Sequence, residues 1–255
     1  KERSVIMNSK KAIYRWTIYV LGFILLAMGI VLNTKCGLGV SPIISVAYTF
    51  SLILGTKIGN TTLALYSVFV LFEIILHAIR KCPKKVFLFD ILQIAVSVVF
   101  TRFINLFSDF IPQLDVTYKN QWQGSMPFRI FVLCIAIILT GLGAAMSLNM
   151  RLVPNPGDGI VQAVADTIKK PVGFTKNCWD ILMVTISTIL TVTLYSKIAD
   201  TRLNAFLAVI SIGTILAVIG VGRVIAIFNH FTYDKMMEKS GVLEKQEIPL
   251  KLIKT

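Results

Sequence analysis

Two proline-containing segments of this sequence carry residue types that suit the binding of a small polar molecule. They are residues 39–42 (GVSP) and residues 155–159 (NPGDG). In each, a residue suited to a helix N-cap comes directly before a proline, which favours the first helical position. A helix that begins there presents unpaired N–H groups and the positive end of its dipole, and both attract a carboxylate, a phosphate or another anionic group.

Asp158 falls in the first turn of the second of these helices. A carboxylate in that position either partly neutralises the dipole or holds a cation or an ammonium group, and a simple helix cap is the alternative. The two segments together indicate a polar or zwitterionic solute. The residues predicted to bind it are the small, polar and aromatic ones in and around the two segments: Gly39, Ser41, Ser45, Tyr48, Tyr66, Asn155, Gly157, Asp158, Gly159, Gln162, Trp179 and Asp180.

Glu73 lies in an apolar run about two helical turns before Arg80. An ionisable side chain at such a depth is costly in a membrane and often functional. Arg102, Asp180 and Arg223 are nearer to the ends of their runs, where side chains reach the membrane surface easily. We therefore predict that Glu73 couples transport to a proton or a sodium ion, with a structural role as the alternative.

Composition excludes an ordinary soluble enzyme. The chain of 255 residues is 55% hydrophobic and only 15% charged, with a mean hydropathy of +0.76, whereas soluble domains are about 25% charged. The net charge of +13 is typical of basic cytoplasmic loops that face anionic lipid, and a nucleic-acid partner is not expected.

The sequence contains no HExxH, Walker or G-x-S-x-G motif, and its four cysteines form no CxxC pair. Its two histidines, His77 and His230, have no metal-binding partner at usable spacing. We therefore predict no catalytic residues, no metal site and no cofactor.

Six apolar runs are long enough to cross a bilayer core of about 30 Å. They are Thr17–Asn33, Thr61–Ile79, Val86–Phe107, Phe128–Leu148, Asn177–Tyr195 and Leu203–Phe228. Two further runs, Pro42–Gly55 and Pro156–Lys169, are too short to cross and are typical of re-entrant or half helices. The predicted fold is an all-α membrane protein with six transmembrane helices and two half helices.

The loop charges predict which side each loop occupies. With six spans, the basic N-terminus, the cluster at residues 80–85 and the basic C-terminal tail all lie on one side, which the positive-inside rule makes cytoplasmic. The chain then divides into a cytoplasmic N-terminus (1–16), a first repeat (17–115), a second repeat (128–228) and a cytoplasmic tail (229–255).

The two repeats are related by a shift of 114 residues. This shift places Gly29 on Gly143, Pro42 on Pro156 and Gly59 on Gly173 without a gap. Each half reads as a span, a half helix and two spans, and an odd number of spans makes the second half enter from the opposite side. An inverted repeat with interrupted helices is typical of secondary transporters.

The segments around the two prolines resemble the paired LGxxP and GPxDGL-type segments of the YczE/YitT-like group of bacterial membrane proteins. The resemblance extends over about residues 12–230, although Val40-Ser41 and Pro154-Asn155 depart from the usual pattern. It implies a multi-pass protein of a bacterial inner membrane and supplies no substrate.

The predicted function is a small secondary transporter for a polar, anionic or zwitterionic solute that binds at the midplane between two broken helices. The alternatives are a non-transporting accessory or scaffold protein and the substrate-binding subunit of a multi-component importer. The expected partners are the solute and the lipid bilayer, and a homodimer is an open alternative for the assembly.

Overall fold

The computed structural model describes residues 2–194 and 209–241, with side chains from residue 9 onward. All regular structure in these ranges is helical, as the sequence predicts. The longer helices are α1 (Glu2–Lys35), α2 (Pro42–Leu54), α3 (Ile58–Ile79), α4 (Lys84–Phe110), α6 (Met126–Asn149), α7 (Pro156–Ile168), α8 (Val172–Thr193) and α9 (Ile212–Ser240). The single-turn α5 (Leu114–Thr117) and a 3-10 turn (Trp122–Gly124) lie between α4 and α6.

Five helical stretches of the described residues are long and apolar enough to cross a membrane: Ser9–Lys35, Ile58–Ile79, Lys84–Thr117, Met126–Asn149 and Ile212–Ser240. The chain is therefore a multi-pass membrane protein. Helix α8, the fifth predicted span, is as long as α3 but carries Lys176 and Asp180 and is not among the five. The sixth predicted span begins in the stretch 195–208, which lies outside the described residues, as does the tail beyond residue 241.

The two short helices begin and end where local signals place them. Pro42 and Pro156 are the first residues of α2 and α7. Asn155 acts as a side-chain N-cap and accepts a hydrogen bond from the N–H of Gly157 at 3.3 Å. Both helices end on a residue in the left-handed conformation, Gly55 with φ 62° and Lys169 with φ 54°, because that geometry closes a helix C-terminus.

Corresponding helices in the two halves have corresponding ends. Helices α2 and α7 are both 13 residues long, α3 and α8 are both 22 residues long, and each pair begins 114 residues apart. The packing is exchanged between the halves, since α2 packs against α8 and α7 packs against α3. The two short helices therefore link the halves, while each also packs against its own half, α2 against α3 and α7 against α8.

The most extensive helix contact joins α1 and α6, which cross in opposite directions. A Cβ atom on Gly29 would clash with the backbone of Thr140, and one on Gly143 would clash with the backbone of Leu26. Both pairs are equivalent under the 114-residue shift. Small residues allow such close approach of helix backbones, which stabilises helix pairs in a membrane by packing.

Two arginines close the ends of these crossing helices in the same way. Arg15 donates from Nε and Nη2 to the carbonyl oxygens of residues 150 and 151, both at 2.6 Å. Arg129 donates from the same two atoms to the carbonyl oxygens of residues 36 and 37, at 2.7 and 2.5 Å. Each arginine thus satisfies carbonyl groups that the end of the other half's first helix leaves unpaired.

The core lies where α1, α3, α4 and α7 meet. Tyr66, Phe100 and Ile160 are almost fully buried there, and the rings of Tyr66 and Phe100 stack at 6.3 Å. Large apolar side chains on the outer faces of α3 and α4, such as Leu71 and Val99, are exposed. Apolar residues outside and polar residues inside are the arrangement expected of helices in lipid.

Candidate functional site

A cavity of about 500 Å³ lies beside the N-terminal turns of α7, between that helix and α3, α4 and α6. Its wall is mainly apolar, with a small number of polar and charged side chains that converge on it, as in most small-molecule sites. Seven of the residues predicted from the sequence line this cavity: Ser41, Tyr66, Glu73, Asn155, Asp158, Gly159 and Gln162.

Three other residues predicted to bind the solute lie outside the cavity wall and make packing or hydrogen-bond contacts instead: Gly39, Gly157 and Ser45. Gly39, with φ 95°, packs against Ser211 and Thr214 at the start of α9. Gly157 packs against Ile43. Ser45 donates to the carbonyl oxygen of Pro42 at 2.7 Å and lies 3.3 Å from that of Met183, in the contact between α2 and α8.

The remaining three predicted residues also lie outside the cavity wall. Tyr48 is partly buried against the core. Trp179 packs edge-on against Phe69, with ring centroids 5.4 Å apart. Asp180 faces a second cavity, beside Pro42, and lies 3.7 Å from Lys176 Nζ.

Asn155 changes what the α7 N-terminus can offer to a ligand. Its side chain accepts from the Gly157 N–H, and its carbonyl oxygen accepts from the N–H groups of Asp158 at 2.9 Å and Gly159 at 2.8 Å. These bonds occupy the N–H groups of the first turn, where the sequence predicted unpaired ones. The end of α7 therefore acts on the cavity through its dipole and through the Asp158 side chain.

Both signs of charge reach the cavity wall. Asp158 lines it from α7 and Glu73 lines it from α3, while Lys176 lines it from the first half of α8. Tyr66, which is 1% exposed, hydrogen-bonds through its side chain with Asn155 and holds that end of α7 against α3. A bound molecule with one ammonium and one carboxylate group would find an opposite charge for each.

Glu73 has a buried hydrogen-bond partner on the neighbouring helix. Its Oε2 accepts a hydrogen bond of 2.7 Å from Nε2 of Gln93 on α4, and both residues are buried. The pair faces Gly159, since a Cβ atom there would lie 2.7 Å from Glu73 Oε1 and 2.8 Å from Gln93 Oε1. The absence of a side chain at position 159 thus makes the room that the pair occupies.

A second polar pair lies one turn away on the same two helices. His77 Nδ1 and Asp90 Oδ2 are 2.8 Å apart, and both residues line the cavity. Beyond them, Arg80 Nη1 lies 3.3 Å from Asp166 Oδ2, at the exposed end of α7. Ionisable side chains therefore extend in steps from Glu73 to the basic loop that follows α3.

Gln93 belongs to a pattern of buried polar residues that the sequence of α4 already shows. Polar residues repeat there at helical spacing within an apolar run, at positions 90, 93, 97, 101 and 105, and all of them are buried. A polar stripe on a helix in lipid faces inward, which reverses the pattern of a soluble helix. Lys176 carried a weaker signal, as a lysine about one turn from Asp180.

The family model of DUF6198, described as a family of unknown function, matches residues 13–230. The chain belongs to the DUF6198 family. The range matched in this DUF6198 protein contains the cavity, the Glu73–Gln93 pair and both arginines described above.

This DUF6198 chain is also similar to the uncharacterized membrane protein YczE of Bacillus subtilis (strain 168), at 25% identity over 169 residues, which cover 66% of this chain and 71% of YczE. The predicted resemblance to a YczE-like family of membrane proteins is thereby confirmed. No solved structure matches the chain.

Proposed function

We propose that this protein is a small secondary transporter that binds a small zwitterionic solute in the cavity beside α7. The observation that carries the proposal is the cavity itself. It lies inside a bundle of membrane-length helices, and Asp158 of α7 and Lys176 of α8 bring opposite charges to its wall. Asp158 suits an ammonium group, and Lys176 suits a carboxylate. Charged side chains in such a place are costly unless they bind something.

The proposed topology has six spans, with α8 as the fifth, and with both termini in the cytoplasm of a bacterial cell. Asp180, Ser187 and Thr191 of α8 are buried, so these polar side chains face the protein rather than lipid. The short α2 and α7 do not cross, because about 20 residues are needed for that and each has 13.

We further propose that the two halves form an inverted repeat that moves by alternating access. The matched helix ends, the exchanged packing of α2 and α7 and the reciprocal arginine bonds support it. The antiparallel crossing of α1 and α6 supports an axis in the membrane plane. Rocking of one half against the other about this crossing would open the cavity to each side in turn.

A thermal-shift experiment tests the solute class. Purified full-length protein is heated with neutral amino acids, with dicarboxylates or with primary amines, because a ligand that binds the folded state raises its apparent stability. We expect stabilisation by one or more amino acids, and proteoliposomes should then take up the same compound. The change Asp158→Asn should weaken binding by about tenfold or more, since a charged hydrogen bond is worth about 1.5–3 kcal/mol.

The matched control is Asp109→Asn. Asp109 is also a carboxylate on a helix, but it is exposed and pairs with Lys57 at 2.5 Å, away from the cavity. This variant should bind the solute as the wild type does. Equal losses in the two variants, or stabilisation by dicarboxylates alone, would contradict the proposed site.

A further inference from the structure

The contact between Glu73 and Gln93 leaves one oxygen of each side chain without a partner. Glu73 is 1% exposed and Gln93 is 2% exposed, and a single hydrogen bond joins Gln93 Nε2 to Glu73 Oε2. Among the described residues, neither Glu73 Oε1 nor Gln93 Oε1 has a hydrogen-bond partner. Such unpartnered buried oxygens are unusual in proteins and call for a physical explanation.

The two oxygens converge on one place. Both lie within 2.8 Å of the position that a Cβ atom on Gly159 would take, so they approach the same face of α7 from two helices. That place directly adjoins the backbone of Gly159, which leaves no room there for a metal ion or an ammonium group. A proton needs no such room, because it lies between the two oxygens.

One proton satisfies both oxygens. If Glu73 Oε1 carries it, the O–H group donates to Gln93 Oε1 while Gln93 Nε2 continues to donate to Glu73 Oε2. The carboxylic acid and the amide then form a closed pair with one hydrogen bond in each direction. Without the proton, both oxygens are buried acceptors with no donor in the described residues, which is unfavourable.

Charged neighbours do not replace the proton. His77 on α3 is engaged with Asp90 on α4 at 2.8 Å, and Lys176 on α8 lies 3.7 Å from Asp180. Asp158 on α7 adds a further negative charge to the same cavity, and the residues that α1, α6 and α9 contribute to its wall are uncharged. A carboxylate at Glu73 would thus lack a side-chain cation at contact distance in the described residues.

We propose that Glu73 and Gln93 form the proton-binding site of the transporter, so that solute and proton move together. The proposal rests on the proposed function and selects the proton over the sodium ion as the coupling ion. A proton from water forms the O–H bond at Glu73 Oε1 and returns to water when that bond breaks. The His77–Asp90 pair, one turn closer to the basic loop, relays it between Glu73 and the aqueous side.

Infrared spectroscopy of the full-length protein in nanodiscs tests the site without requiring transport. A buried carboxylic acid has a C=O band that disappears as pH rises. We expect this band in the wild type and in the Asp109→Asn control, and its loss in Glu73→Gln. The change Gln93→Leu should keep the band and shift its frequency, because the amide partner is removed.

The Glu73→Gln variant is expected to fold, since its amide can donate to Gln93 Oε1 as the protonated acid does. A spectrum unchanged by this substitution would overturn the proposal. Sodium, compared with choline, should leave the band unaltered, and removal of the band by sodium at constant pH would assign the site to that ion instead.

Proteoliposomes that contain a pH-sensitive dye test the coupling. Acidification on the solute side should drive accumulation in the wild type, and Glu73→Gln should reduce that accumulation at least tenfold. Uptake that ignores both the pH gradient and this substitution would overturn the coupling while leaving the carrier in place. If the infrared band titrates but the protein transports none of the solutes that stabilise it, the proposed transport function is wrong. The proposed coupling to protons is then wrong as well.

Discussion

Helices α2 and α7 make corresponding contacts with the other half of the chain. Side chains fill the contact of α2, whereas the contact of α7 borders the cavity. On one side, Ser45 and Thr49 of α2 meet α8, and Thr49 Oγ1 lies 2.9 Å from Ser187 Oγ. We call this contact the closed seam. On the other side, Gly159 of α7 meets Glu73 of α3, beside the cavity, and we call this contact the open seam.

The difference arises from side chains rather than from the backbone. Under the 114-residue shift, Ser45 corresponds to Gly159 and Ser187 corresponds to Glu73, while the helix ends coincide. Hydroxyl groups fill the closed seam and pair with one another, and all of them are fully buried. The open seam has a glycine at position 159 and an acid at position 73 instead, and it borders a cavity although the helix ends are the same. The acidic residue of the proposed site is therefore found at only one of two corresponding contacts.

The largest expected effect comes from making the open seam resemble the closed one. The change Gly159→Ser places a Cβ atom within 2.8 Å of Glu73 Oε1 and Gln93 Oε1. Overpacking of this kind costs about 1–3 kcal/mol. We expect loss of solute binding by about tenfold or more in the thermal-shift assay, together with a lower melting temperature.

The reciprocal change, Ser45→Gly, serves as its control. It removes a hydroxyl group from the closed seam and leaves the cavity wall intact. Stability should fall, and solute affinity should stay within about twofold of the wild type. If both variants lose affinity equally, the two seams do not differ in the way described.

A smaller effect is expected from Thr49→Val, which keeps the shape of the side chain. It removes the hydrogen bonds to Ser187 and to the carbonyl oxygen of Ser45. Hydrogen bonds between membrane helices are worth about 0.6 kcal/mol on average. Chemical unfolding in detergent should show a loss of that order, with normal solute binding; impaired binding at unchanged stability would place Thr49 in the site.

The smallest effect on the protein is expected from a labelling experiment. It tests on which side of the membrane the loop next to the open seam lies. In a variant without its native cysteines, Pro83→Cys introduces a thiol into the loop between α3 and α4, next to the exposed end of the His77–Asp90 path. A membrane-impermeant maleimide should react only in inside-out vesicles. Reaction in intact cells would place this loop, and the proposed proton path, on the outer side.

Local signals in the sequence predicted the helix ends well. Both short helices start at their prolines and end one residue before the predicted limit, because proline and a left-handed residue fix a helix end without tertiary help. The first helix is longer than its predicted span, Thr17–Asn33, since α1 continues as a helix from Glu2 to Lys35. A hydropathy run reports only the apolar portion of a helix.

The partners of the site residues could not be predicted in the same way. Glu73 was recognised from its position in an apolar run, but its contact with Gln93 depends on how α3 and α4 are rotated about their axes. That rotation is set by packing across the whole bundle. Asp180 and Trp179 were predicted to join the cavity from their nearness to the second proline segment. Asp180 instead lines the second cavity, one turn beyond Lys176, and Trp179 packs against Phe69.

The arginine bonds between α1 and α6 have a consequence for how the chain assembles. Arg15 satisfies carbonyl groups at residues 150 and 151, and Arg129 satisfies those at residues 36 and 37. A fragment that stopped in the stretch between α5 and α6 would insert with the terminus of its leading helix uncapped. The two halves therefore complete each other's helix ends, and an N-terminal half produced alone is expected to be less stable than the full-length chain.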